Sequence, residues 1–165
     1  MSAGAPPFPL DARATTALVR AALEEDQAFN DVTTLSTVPV EACARGAMVS
    51  RVEGVVAGLP LALAAFQALS SATVAQVVVP DGTTVPAGGV VAKLEGPARA
   101  LLSAERVALN FVQRLSGIAT LTARYVQAVH GTRARIYDTR KTTPLLRALE
   151  KYAVRCGGGV SHRAD

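Results

Sequence analysis

Tryptophan is absent, and aromatic residues make up only 4% of the chain. With no basic run reaching five residues, there is little with which to stack bases or track a phosphate backbone, so nucleic acid is not the expected partner. The two cysteines, Cys43 and Cys156, lie far apart with no CxxC spacing. That pattern argues against a zinc site and a disulfide framework, and for a reduced, cytoplasmic setting. No apolar run approaches the ~20 residues of a membrane span. The N-terminus, with Pro6, Pro7 and Pro9, lacks the basic start and apolar run of a signal peptide. The expectation is a soluble protein without membrane contact. Charged residues are sparse at 18% and hydrophobic ones reach 50% of 165 residues, enough for a packed core in one domain, or one domain and a fragment. The net charge is +4, carried mostly by arginine. Arginine's rigid donor fork suits carboxylate and phosphate, although coding bias accounts equally well for most of these arginines.

From Leu10, the spacing of Ala14, Ala17, Leu18, Ala21 and Ala22 predicts a helix ending near Glu24-Glu25-Asp26. Phe29-Asn30-Asp31-Val32-Thr33-Thr34 reads as a helix-exit loop, because Asn and Asp side chains can bond their own backbone. Residues 43–57 alternate as a half-buried strand would, and Pro60–Leu69 reads as a helix opening with proline. Thr73–Val79 is strand-like, and residues 80–96 read as turns and short strands of a small antiparallel sheet. The sheet needs helices on at least one face. From Ala98 to His130 the chain turns helical. Phe111, Leu115, Ile118, Tyr125 and Val129 form its predicted buried stripe, and Gly117 is expected to divide it in two. Arg106, Asn110 and Gln113 fall at i, i+4 and i+7 on another face, which on spacing alone is a solvated face.

The chemistry concentrates at the end. Arg135–Tyr137 is a predicted short strand that breaks into a loop with two adjacent cations, Arg140 and Lys141. Thr143-Pro144 has the order of an N-cap and a first helical proline. Leu145, Leu149 and Tyr152 are the predicted buried stripe of that helix, and Gly157-Gly158-Gly159 stops it. His162 and Arg163 follow. A strand, loop, helix and loop of this kind would bring Arg140, Lys141, His162 and Arg163 to one rim, the shape of an anion site. The three glycines are explained as well by a helix C-terminus as by phosphate binding.

Six stretches in order, EDQAFNDVTT (25–34), GVVAGLPLA (54–62), AERVALNFVQRLSGIAT (104–120), DTRKTTP (138–144), EKYAV (150–154) and GGGVSHR (157–163), make the chain resemble the N-terminal part of the quinolinate phosphoribosyltransferase family of NAD biosynthesis. The resemblance implies an α+β N-terminal sandwich domain with a leading helix over residues 1–113. A linker helix and the first βα unit of a truncated α/β barrel would follow over 114–165. It implies transfer of phosphoribose from phosphoribosyl pyrophosphate to quinolinate with loss of CO2, giving nicotinate mononucleotide and pyrophosphate, with Mg2+ accompanying the pyrophosphate and no metal ligand assigned in this chain. It implies a homo-oligomer in which Arg106 reaches the partner's site. Arg140 and Arg163 would hold the two carboxylates, Thr139 and His162 would hydrogen-bond the substrate, and Lys141, the catalytic residue, would lie between substrate and the donor's phosphates.

Two departures from the family stand out. A complete α/β barrel takes about 250 residues, whereas only ~30 follow the first predicted barrel strand here, so the chain alone is expected to be inactive. Position 145, usually glycine in the family after TTP, is leucine. Two other readings are compatible with the residues: a non-catalytic interaction module built from the sandwich domain, and a molybdate-transport-associated phosphoribosyltransferase-like protein.

Overall fold

The computed structural model describes residues 5–162. Helix α1 (Ala12–Glu25) opens on Asp11, whose side chain accepts from the Ala14 N–H. The residues it buries are Val19 and Leu23, while Ala14, Ala17 and Ala21 stay exposed. The larger side chains gain more by leaving water and set the rotation of the helix. After a 3-10 turn (Ala28–Asn30), Asp31 is not part of an exit loop. It caps a short helix, α2 (Val32–Thr37), by accepting from the backbone N–H and hydroxyl of Thr34. The hydroxyl and amide of Thr34 hold the Asp31 carboxyl below its usual range.

Strands β1 (Cys43–Val49), β2 (Gly54–Val55), β3 (Val74–Val77), β4 (Thr84–Val85) and β5 (Val90–Pro97) make two antiparallel sheets. In the larger one β5 is central, pairing with β1 from Cys43 opposite Pro97 and with β3 from Val74 opposite Glu95. Along β5, Ala92 and Leu94 point inward while Lys93 and Glu95 point out, as the two-residue period of a strand requires. The smaller sheet pairs β2 with β4. In the chain, α3 (Leu59–Leu69) connects β2 to β3, with Pro60 in its first turn.

Helix α4 (Ala98–Ala128) is continuous for 31 residues, so Gly117 does not divide it. A Cβ at Gly117 would meet nothing within 4 Å. A glycine penalty near 1 kcal/mol is small beside the burial of Leu115 on one side and Ala119 and Thr122 on the other. The buried stripe runs through Leu101, Ala104, Ala108, Leu115 and Ala119; Phe111 and Ile118 are half-buried and Tyr125 is exposed. The helix crosses residues 113 and 114 without interruption.

Helix α5 spans Arg147–Cys156. It does not begin at Thr143-Pro144, because Leu145, with φ +68°, lies in the left-handed region and interrupts the helical path. Leu145 is also wholly exposed, so the buried stripe of α5 is Leu149, Tyr152 and Ala153. Residues 135–137 form no strand. Tyr137 makes a single parallel bridge with Val160. One hydrophobic cluster contains Leu23, Phe66, Leu94, Leu115, Leu149 and Tyr152, so α5 shares its core with the sheet and the earlier helices. At the centre of that contact Asp81, buried, accepts from the N–H groups of Gly58 (2.7 Å) and Leu59 (3.2 Å) at the start of α3 and from the Tyr152 hydroxyl (2.8 Å).

Candidate active site

The bridge between residues 136–138 and Val160 organises the rim. Val160 N–H donates to the Ile136 carbonyl (2.8 Å), and Asp138 N–H donates to the Val160 carbonyl (3.0 Å). Two segments paired in parallel leave the pairing at the same end, about 5 Å apart. Thr139–Lys141 and Ser161–His162 are thereby brought side by side.

Asp138 fastens them. Its buried carboxylate accepts the His162 N–H through Oδ1 at 3.0 Å, and Oδ2 lies 3.8 Å from Nζ of Lys151, which is itself 4% exposed. Oδ2 has no hydrogen-bond partner among the described residues, so the Lys151 charge is what balances it there. Removing Lys151 would take this charge away from the buried carboxylate. The rings of Tyr137 and His162 meet edge to face at 6.0 Å, which restrains the imidazole.

The cationic loop is tied at its other end too. The Thr143 hydroxyl donates to Glu150 Oε1 (2.7 Å), its N–H to Oε2 (3.3 Å), and Arg114 of α4 donates to both Glu150 Oε1 (2.7 Å) and Thr143 Oγ1 (3.0 Å). Burial would raise the Glu150 carboxyl, but the hydrogen bonds from Thr143 and Arg114 outweigh it and hold the group below its ordinary value of 4.5. Inside the loop, Lys141 N–H donates to Thr139 Oγ1 (3.1 Å), and Arg147 reaches the Arg140 carbonyl (3.4 Å). The side chains of Arg140 and Lys141 are exposed and form no ion pair with a described residue. Two cations held by their backbone and left without a counter-charge are suited to an anionic ligand.

The glycine run is structural. Gly158 (φ +83°) N–H donates to the Arg155 carbonyl and Gly159 N–H to the Val154 carbonyl, the paired bonds of a Schellman helix stop. A Cβ at Gly157 would lie 2.3 Å from the Ala119 carbonyl oxygen, so that glycine allows α5 to abut α4.

Thus Thr139, Arg140, Lys141 and His162 gather at one rim. Arg106 does not join them within this chain. It forms an ion pair with Asp26 (2.8 Å) and lines an open polar cavity of about 170 Å3 with Asp31 and Ser103. The exposed apolar residues Phe29, Val32, Leu35, Leu102 and Leu109 belong to the same elements or the adjoining turn. Arg163 lies outside the described residues. Sequence reasoning missed Asp138, Lys151, Glu150 and Arg114. Each works through a partner 12 or more residues away or across a turn, so no local spacing announces them. Among the described residues no group of three His, Cys, Asp or Glu side chains could hold a metal, and the Asp138 carboxylate is already engaged with His162 N–H and Lys151, so they form no dedicated metal cage. No described helix is long and apolar enough to cross a membrane.

The chain joins α and β elements to a cationic rim where residues 136–138 pair with Val160, and comparison identifies its family. The family model described as quinolinate phosphoribosyl transferase, N-terminal domain, matches residues 31–116, and the corresponding C-terminal domain matches 118–165. The chain belongs to the quinolinate phosphoribosyltransferase family. It is 47% identical over 148 residues to the nicotinate-nucleotide pyrophosphorylase (carboxylating) of Mycobacterium leprae, covering 88% of this chain and 52% of that protein. It is 40% identical over 147 residues to a quinolinate phosphoribosyltransferase (decarboxylating) of Nicotiana tabacum, covering 88% of this chain and 41% of the relative. The structure of the nicotinate-nucleotide pyrophosphorylase from Francisella tularensis superposes with a TM-score of 0.89 at 35% identity, covering 94% of this chain and 55% of the other. The chain spans about half the length of the curated relatives it matches.

Proposed function

We propose that this chain carries the dicarboxylate-binding part of a quinolinate phosphoribosyltransferase, which joins quinolinate to the phosphoribosyl group of phosphoribosyl pyrophosphate and releases pyrophosphate and CO2 to give nicotinate mononucleotide. The supporting observation is the parallel pairing at Val160, with the Asp138–His162 bond, that sets Arg140 and Lys141 beside His162. Arg140, together with Arg163, takes the role of carboxylate fork. Thr139 and His162 are hydrogen-bonding groups to the substrate. Lys141 stands between the substrate and the phosphates, where positive charge offsets charge developing during transfer and decarboxylation. The ring nitrogen of quinolinate is already a nucleophile and requires no protein base. Mg2+ is proposed to accompany the pyrophosphate, and no step here depends on it.

Arg106 is proposed to complete the site of a second copy. Its exposed guanidinium sits on elements that also present apolar side chains to solvent, as a docking surface does. The chain spans about half the length of the relatives it matches, so the chain by itself is proposed to bind without turning over. Formation of nicotinate mononucleotide by the isolated chain in a single-turnover assay would overturn that.

Calorimetric titration of quinolinate into the chain tests the assignment. Arg140→Ala is expected to weaken binding roughly ten- to a hundredfold, the value of a charged hydrogen-bonding pair. Unchanged affinity in the variant would remove Arg140 from the site.

A further inference from the structure

We infer that Glu150 is a positioning residue for the cationic loop: with Arg114 it fixes the downstream end of the span that carries Arg140 and Lys141. The inference rests on the proposed reading of that loop as the dicarboxylate site. The loop has two anchors. Upstream, Asp138 is tied to Val160 and His162. Downstream, Thr143 gives Glu150 both its hydroxyl and its N–H, and Arg114 bonds both partners. Only Thr139 to Thr142 lie between.

The downstream anchor is mostly shielded, the Glu150 side chain being 12% exposed. It also joins three separate pieces of structure: α4 through Arg114, α5 through Glu150 and the loop through Thr143. Glu150 stands in the first turn of α5, where the helix dipole favours its negative charge. Beyond Pro144, Leu145 lies in strained backbone, and a single turn bond, Leu146 N–H to the Thr143 carbonyl (3.1 Å), precedes α5. If Glu150 lets go, Thr143 keeps the Arg114 contact to its hydroxyl (3.0 Å) and the Leu146 N–H to its carbonyl (3.1 Å), but its own N–H loses its acceptor, and the span upstream is held by the long Arg147 contacts to Thr142 and the Arg140 carbonyl at 3.4 Å. Arg140 and Lys141 then sample many positions, and each must be re-ordered when a ligand binds, at a cost in affinity.

The test compares Glu150→Gln and Thr143→Val in the 165-residue chain by site-resolved hydrogen exchange and by quinolinate titration. Glutamine keeps the size and an oxygen that can accept from the Thr143 hydroxyl and Arg114, but it removes the charge and puts an NH2 group where Oε2 accepted the Thr143 N–H. Glu150→Gln is expected to speed exchange at the Thr143 and Lys141 amides roughly tenfold and to weaken quinolinate by a similar factor, with exchange in β5 and α3 unchanged. Thr143→Val, which leaves Glu150 paired with Arg114, should give a smaller change of the same pattern. Loop exchange at the parent rate, exchange rising equally throughout the chain, or a loosened loop with undiminished quinolinate affinity would each overturn the inference. If the parent chain itself shows no quinolinate binding, the functional reading of the loop fails, while the exchange measurements still decide whether Glu150 holds it.

Discussion

At Leu145 an exposed leucine occupies φ +68°. An L-residue in the left-handed region costs roughly 1–2 kcal/mol through the clash of its Cβ with the following carbonyl, and the fully exposed side chain recovers nothing by burial. Glycine removes the clash but brings a larger unfolded-state entropy of about 0.4–1 kcal/mol. Leu145→Gly should therefore stabilise the chain by about 0.5–1 kcal/mol, seen as a higher urea midpoint with an unchanged slope. A midpoint that stays put or falls would mean that the strain is relieved elsewhere. The two cysteines differ sharply at the same scale: burial pushes the Cys156 thiol up to about 11, keeping it protonated, whereas Cys43 is exposed.

The junction of α4 and α5 depends on one missing side chain. Gly157→Ala would place a methyl group against the Ala119 carbonyl, and the 2.3 Å approach cannot be absorbed by rotating a side chain. It should cost about 1–3 kcal/mol, as overpacking does. Gly117→Ala, in the same pair of helices but facing open space, should stabilise by up to about 1 kcal/mol. Thermal unfolding of the two variants should move in opposite directions, and a shared sign would contradict this account of the interface. The contrast also shows what could be read beforehand. Helix α3, the strand at β1 and the helical character of residues 98–130 were legible because periodicity and turn residues are local. The βα pattern placed Arg140, Lys141, His162 and Arg163 at one rim; the first three lie near one another although residues 135–137 form only a bridge, and Arg163 lies outside the described residues. The start of α5 was not legible, because the order Thr143-Pro144 imitates a cap while Thr143 is bonded to Glu150. Nor could the Asp138–Lys151 and Arg114–Glu150 pairs be read, since only the folded chain brings them together.

Across the whole molecule, Asp81 joins the start of α3 to α5. Tyr152 is the donor that makes the connection, and burial, reinforced by the Asp81 charge, raises its phenol and keeps it protonated. Tyr152→Phe removes that donor and leaves the carboxylate with two backbone N–H groups. A loss of about 1–3 kcal/mol is expected, with circular dichroism still reporting one cooperative urea transition at a lower midpoint. Two separate transitions would show that the parts fold independently. Helix α4 imposes a further condition on any recombination within the family. The two family models meet at residues 116 and 118, in the middle of a rod rather than in a joint. A cut there would orphan about four carbonyls on one stump and four N–H groups on the other. Each residue gained or lost at the seam would turn everything beyond it by about 100°. Exchanging one half between relatives is therefore a matter of helical phase, and a chimera keeps its rim facing the right way only if its two halves stay in step.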